Sequence, residues 1–546
     1  MIKKLSFALL AALTLSVSSC KLDLLDNPNA VTNSNTDINY LLNNIQLNYA
    51  THFNQVSDPG MRLTRMLNQG SAIYENAVSP SNYDDTWSRA YASLLTDIKT
   101  LIPLAESSQL YVHAGIARTI RASVLLNLVD MFGDVPYSEA IDPANFNPKV
   151  DAGATVYEVA LKDLNDAISN FAANSASSPS SDLYFSASKD NWTRTANSLK
   201  LKAYLNRRLV DKSGSTTAIN ALIAGGKLIS SADQNFTFKY GSNLTNPDTR
   251  HPRYGYSNTG AGDYQSNSYM GTMYYSKGFV DPRMRFYFYR QTIKNPTDVN
   301  ALRCITNSKP NHFSASDFFC LPTDVGYWGR DHLNNEGIPP DGLLRTAFGV
   351  YPAGGLYDNN AGTGVFLGAG AGGAGIQPII MRSFVDFMLA ESALTLGTTG
   401  SARSLLQSAV EKSMADVRAM ALATTESSKI TSFEAANNIV WTTEVSKYVA
   451  KVLENYDAAT TDDARLNVIA TEYWLALYGN GVESYNLYRR TGKPANMQPA
   501  LEANPGSFPR SVYYPASYIN RNANAKQKAG VTVPVFWDNN AANLLK

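Results

Sequence analysis

The chain has 546 residues, of which 44% are hydrophobic and 17% charged, with 47 basic against 46 acidic side chains. That balance supplies no global field for nucleic acid or an acidic membrane face, so recognition has to be local. With so little charge, the polar surface rests on Asn, Ser, Thr, Tyr and Gln, a composition suited to neutral polar ligands.

The first residues have the three parts of an export signal: Lys3 and Lys4, the apolar run Leu5 to Val17, and the small residues Ser18 and Ser19. The run falls short of the about 20 apolar residues that a transmembrane helix needs. It ends on "SVSSC", and an aliphatic residue, two small residues and then Cys is similar to the lipobox of bacterial lipoproteins. Residues 1–19 are therefore expected to be removed, with Cys20 as the lipidated first residue of the mature chain. A thiol can form a thioether to a diacylglycerol, and two or three acyl chains anchor a protein where one does not. A secreted protein whose signal ends near a cysteine by chance is the plainer alternative.

Beyond the signal, Trp87, Tyr91, Leu94, Ile98 and Leu101 recur at steps of three and four, which predicts an amphipathic helix over 84–106. Val112, Ile116, Ile120, Val124, Leu128 and Met131 predict a second over 112–131. Tyr157, Leu161, Leu164, Ile168 and Phe171 form a third stripe, and Leu201, Leu205 and Leu209 a fourth beside Trp192 and Leu199. Breakers such as "GDVPYSEA" at 133–140 and "NSASSPSS" at 174–181 separate them. Successive helices joined by turns suggest helix-pair solenoids, although the strict tetratricopeptide consensus is absent.

Helical patterns return after Pro378, in "IIMRSFVDFMLAESALTL", "SARSLLQSAVEKSMADVRAM", "EVSKYVAKVLENY" and "ARLNVIATEYWLALYGNGVESYNLYRR". The scaffold thus divides into an N-terminal helical part (20–235), an insertion (236–377) and C-terminal helices with closing loops (378–546). The insertion is rich in Gly, Pro, Asn and Tyr, and "FTFKY" and "RMRFYFYR" are its candidate strands. Long irregular segments of this kind are usually functional.

Nine of the 31 tyrosines lie between residues 240 and 290. Flat apolar faces with a hydroxyl serve sugars, peptides and other amphipathic ligands, so Tyr254, Tyr256, Tyr264, Tyr269 and Tyr274 are ligand-binding candidates. Equally, they and Tyr275 supply a core to a region poor in aliphatics. The segment "GYWGRDHLNNEGIPPDG" adds Trp328, Arg330, Asp331 and His332 as candidates, against the plainer reading of Arg330 as a loop brace. Asp331 beside His332 has no nucleophile motif around it, no catalytic residue is assigned, and the five histidines show no metal-ligand spacing. "GAGAGG" at 368–373 matches a dinucleotide-binding pattern only formally, within a glycine-dense loop. Cys304 and Cys320 either form a disulfide or stay as two buried thiols.

Taken in order, "NPN" at 27–29, "GDVPYSEA", "DPR" at 281–283, "YPAGG" at 351–355, "LAES" around Glu391, "ALYGNGVESYNLYRRTG" at 476–492 and "VFWD" at 535–538 resemble the motifs of the SusD/RagB outer-membrane nutrient-binding lipoproteins. The resemblance spans nearly the whole mature chain. It implies a single mostly α domain over 20–546, with tetratricopeptide-like hairpins framing a large loop-rich region with minor short strands. It also implies a lipid-anchored, surface-exposed protein that captures a nutrient, glycan or otherwise, for a TonB-dependent SusC-like β-barrel, without catalysis or cofactor. A surface glycoside hydrolase or peptidase using loop carboxylates, or a purely structural adaptor, are the alternatives. Phe384, Tyr485 and Tyr518 depart from the family's usual residues, and Glu483 is expected to pair with Arg489 or Arg490 at the end of the last long helix.

Overall fold

The computed structural model describes residues 37–540 except 143 and 338. The signal, Cys20 and "NPN" lie outside the described residues. Among the described residues, no helix is long and apolar enough to cross a membrane.

Among the described residues, the first element is a helix that the periodicity reading passes over, α1 (Ile38–Leu63), capped by Asp37, which accepts the Asn39 N–H at 2.8 Å. Its buried face mixes Leu42, Ile45, Tyr49, Phe53 and Val56 with buried Gln46 and His52, and that polar dilution hides the stripe. The helix predicted over 84–106 is a helical run over 84–107 with a π-helical stretch, Arg89–Leu95, before α2 (Thr96–Ser107). Next come α3 (Tyr111–Phe132), α4 (Gly153–Ala172), α5 (Lys189–Asn206) and α6 (Lys212–Ala224). Consecutive helices pack against each other as hairpins, and α3 sits inside them, buried on almost every side.

The insertion leaves and rejoins the scaffold at one place. Strand β1 (Phe236–Lys239) pairs antiparallel with a strand at the insertion's far end, Ile376–Ile380, matching Phe236 to Ile380 and Lys239 to Ile376. Between them lie helix α7 (Asn267–Tyr275) and a two-residue pair, β2 (Phe288–Tyr289) with β3 (Ala347–Phe348); Ile376–Ile380 is β4. "RMRFYFYR" is therefore not one strand: Met284–Tyr287 forms a helical turn before β2. Likewise, Ile379 and Ile380 belong to β4 and not to the helix that follows.

The C-terminal helices are α8 (Arg382–Leu396), α9 (Ala402–Leu422), α10 (Ser427–Ala436), α11 (Trp441–Ala458), α12 (Asp462–Ala476) and α13 (Gly481–Thr491). The pattern read as one helix over 464–490 breaks at Gly479, whose φ is +100°, and Asn480 caps α13 by accepting the Glu483 N–H at 3.0 Å. Gly492, at φ +68°, ends α13 as a left-handed cap. The break redirects the chain so that α13 crosses α1 with backbones touching. A Cβ at Gly60 would stand 2.0 Å from the Gly481 carbonyl oxygen, and one at Gly481 would stand 1.9 Å from that of Ser57.

Buried charge ties the two helical halves together. Arg490 donates to both oxygens of Glu391 at 2.9 Å and lies 2.8 Å from Glu483, while Arg208 on the N-terminal half reaches Glu391 at 3.2 Å. Glu391 is held below the usual carboxylate range despite burial, because Arg490 and Arg208 face it. One hydrophobic cluster runs from Leu42 to Trp537 through both halves.

Gly481→Ala should force α1 and α13 apart and cost about 3 kcal/mol or more. Urea unfolding of wild type and variant would measure it; an unchanged midpoint would show that the crossing does not constrain the fold.

Candidate functional site

Two clefts open on either side of α7, and a single loop forms a wall of both. That loop, about residues 300–334, is stapled by a disulfide between Cys304 and Cys320, packed on the fully buried Trp328. Asn267, at the start of α7, locks the loop by donating to the Cys320 carbonyl at 2.9 Å and to Asp331 at 3.1 Å, while accepting the Gly329 N–H at 2.8 Å.

The first cleft, about 320 Å³, is polar and is lined by Tyr264, Arg330, Asp331, Asn334, Glu336 and Asp341 together with the 300–304 turn. The guanidinium groups of Arg330 and Arg345 each lie 3.9 Å from the Tyr264 ring centre. The Tyr264 hydroxyl donates to Asp341 at 2.8 Å and accepts from Arg330 at 3.1 Å. Arg330 also donates to the Glu336 carbonyl at 2.6 Å and the Gly337 carbonyl at 2.5 Å, so it braces the loop. Burial raises the Asp341 carboxyl above its ordinary range, against the opposing pull of Tyr264 and the two arginines.

The second cleft, about 490 Å³, carries the free aromatic faces. Tyr275, 46% exposed, stacks on Phe318 with ring centres 6.1 Å apart and planes at 19°. Phe318 can lie against α7 because residue 271 is Gly; a Cβ there would stand 2.6 Å from the ring. Around the pair stand the amides Asn455, Asn467 and Asn496 and the hydroxyls of Ser268 and Thr272, with a buried Lys277–Glu472 pair at 2.7 Å. This is an aromatic platform ringed mainly by amides and hydroxyls, with Asp317 and the Lys277–Glu472 pair also in the lining.

The sequence-derived candidates divide accordingly. Tyr264, Arg330 and Asp331 meet in the first cleft. Tyr254, Tyr256 and Tyr269 are buried, with their hydroxyls donating to the carbonyls of Ala369 (2.6 Å), Phe348 and Leu475 (2.9 Å) respectively. Tyr274 is half-buried and edge-on to Tyr275 at 4.7 Å. Asp331 accepts from Gln498 at 2.7 Å and from the Cys320 N–H at 2.9 Å, and burial raises its carboxyl. His332 turns away from Asp331 to Tyr74 at 3.2 Å, and burial, with Arg65 adding to it, keeps the imidazole neutral. The two side by side therefore make no acid–base dyad. The "GAGAGG" loop packs backbone on backbone: a Cβ at Gly370 would stand 2.3 Å from the Gly355 carbonyl group, and the segment leads into β4 instead of a helix. Phe318 and the three asparagines escaped residue-by-residue reading, although the Asn-rich composition was their signal.

A family model described as "Starch-binding associating with outer membrane" matches residues 28–314, and one described as "Susd and RagB outer membrane lipoprotein" matches residues 377–543. No curated protein matches the chain. Among solved structures, a SusD/RagB family protein from Bacteroides thetaiotaomicron VPI-5482 is 19% identical, with a TM-score of 0.68 over 93% of this chain and 100% of that one. A chitin-binding SusD homologue from Flavobacterium johnsoniae is 16% identical, with a TM-score of 0.61 over 93% of this chain and 99% of that one. A further chitin-binding protein is 19% identical, with a TM-score of 0.64 over 92% and 100%. At these identities the structures establish a shared fold, mostly α with few short strands.

Removing the staple with Cys304→Ser and Cys320→Ser should free a loop closed over a separation of 16 residues and cost about 3 kcal/mol. Limited proteolysis would then cut first within 300–334; unchanged resistance would mean that Asn267 alone holds the loop.

Proposed function

Because the chain belongs to the SusD/RagB family of outer-membrane lipoproteins, we propose that it captures a nutrient, a glycan before other classes, at the cell surface. It passes the ligand unaltered to a partner TonB-dependent SusC-like transporter. The observation that carries the ligand class is the Tyr275–Phe318 platform with its surrounding amides and hydroxyls. A pyranose ring offers an apolar C–H face to an aromatic ring and hydroxyls at its edge to Asn, Ser and Thr, with no charge required. The starch-binding family description and the chitin-binding relatives support the same class.

The first cleft extends the surface with polar groups on a braced loop, so one oligosaccharide can engage rings on one side of α7 and Asn334 and Glu336 on the other. Pre-organisation by the disulfide and Asn267 lowers the ordering cost of binding. Cys20 is the proposed anchor, the acyl chains being the contact with the membrane. Residues 20–546 act as one unit in this reading, with the insertion 236–377 serving ligand and the helices serving the transporter.

Tyr275→Ala should weaken binding of chito- or malto-oligosaccharides about tenfold. Affinity electrophoresis in glycan-loaded gels would read this; wild type and variant migrating alike in every gel would remove the platform from the proposal. Tagged protein extracted from outer membranes in mild detergent should co-elute with a stoichiometric large β-barrel. Elution alone in several detergents would exclude the transporter partner.

A further inference from the structure

The N-terminal half holds a groove of about 480 Å³ that shares no lining residue with the two clefts. It runs between the helical run 84–107, the loop segments 133–142 and 144–150, and the short helix Ala516–Arg521. Three rings form a ladder under it, Trp87 and Tyr518 buried and Tyr91 half-buried: Tyr91 and Trp87 have centres 4.6 Å apart, Trp87 and Tyr518 4.7 Å, each pair inclined at 36°. Phe146 lines the same groove with 81% of its surface exposed.

The groove is built before any ligand arrives. The Tyr91 hydroxyl donates to the Pro136 carbonyl at 2.8 Å, Lys99 to that of Ile141 at 2.6 Å, and Asn522 to that of Pro148 at 2.7 Å. These bonds hold Ile141 at φ +62°, a left-handed backbone that a β-branched residue seldom adopts. A loop fixed in a disfavoured conformation, with an aromatic side chain left facing water, is the pattern of a pre-organised recognition surface.

Charge narrows the ligand. Among the described residues, Arg521 is the one charged residue lining the groove, and it is exposed and has no ion-pair partner. Of the acidic groups nearby, Glu139 is engaged by Lys149 at 2.5 Å, Asp151 by the Tyr137 and Ser138 N–H groups at 2.8 Å, and Asp84 by the Ser517 N–H at 2.8 Å, while Asp85 and Asp142 are exposed and lie outside the lining. A free guanidinium beside a ring ladder, with no competing carboxylate in the lining, matches an amphipathic anion.

We propose that this groove is a second ligand site, which takes a six-membered ring bearing a carboxylate. The ring packs on the exposed Phe146 and over the outer edge of the ladder, and the carboxylate meets Arg521 through paired N–H···O bonds. A uronic-acid residue of an acidic glycan and an aryl carboxylate both present this chemistry.

Isothermal titration of the full chain in detergent with an oligogalacturonate, a neutral oligogalactoside of equal length and a hydroxybenzoate tests the proposal. At least one carboxylate should bind saturably while the neutral sugar binds at least tenfold more weakly. Arg521→Gln and Phe146→Ala, both at exposed positions where folding is not at risk, should each weaken that binding about tenfold. Which carboxylate binds identifies the source. The proposal falls if neither carboxylate binds, if the neutral sugar binds equally and Arg521→Gln changes nothing, or if Tyr275→Ala abolishes the signal while Arg521→Gln does not. That last result would assign the anion to the cleft beside α7 and leave the nutrient-capture reading intact.

Discussion

Asp130, fully buried near the end of α3, is the point on which the architecture converges. Its carboxylate accepts from the Tyr157 hydroxyl on α4, from Asn486 on α13 at 2.6 Å and from Trp537 in the closing loop at 3.0 Å, with Lys202 of α5 at 3.5 Å. Arg489 donates to its backbone carbonyl at 2.6 Å and lies over the Tyr485 ring at 3.7 Å. A buried carboxylate is costly unless its lone pairs are filled, and here the filling groups come from parts of the chain hundreds of residues apart. Satisfying one charge thus registers α3, α4, α5, α13 and the "VFWD" segment at once.

The same device recurs where the insertion meets the scaffold. Asp58 and Arg62 on α1 form a closed ring of ion pairs with Arg253 and Asp263, including Arg62–Asp263 at 3.0 Å and Arg253–Asp263 at 3.1 Å. Asp263 is pulled down to about 2, against burial, by the two arginines around it. The ring fixes the start of the tyrosine-rich segment, and Tyr264 directly after it enters the first cleft already oriented. Position in the cleft is therefore inherited from α1, not from the loop's own sequence.

Much of the helical frame was legible because burial there follows a stripe: 112–131 and 401–420 were found within one or two residues of the observed helices α3 and α9. Legibility failed where tertiary contact overrode local pattern. The 464–490 stripe continues through Gly479, yet the approach of Gly481 to α1 demands a turn there. The tyrosine cluster was visible, but exposure was not: Tyr269 and Tyr275 sit six residues apart on one helix, one fully buried and the other 46% exposed. The Trp87–Tyr518 contact joins segments more than 400 residues apart, so no local reading places Arg521 beside Trp87.

The crossing of α1 and α13 also has a kinetic side. The Gly481 N–H donates to the Ser57 hydroxyl at 2.6 Å across a sequence separation of 424 residues. Contacts of such separation form late, because loop closure must precede any energetic return. While the chain emerges N-terminus first, α1 has no partner for its Gly60 face until α13 has followed it. The hairpins of the N-terminal half can pack on one another early, but the α1–α13 seam closes only when nearly all of the chain is available.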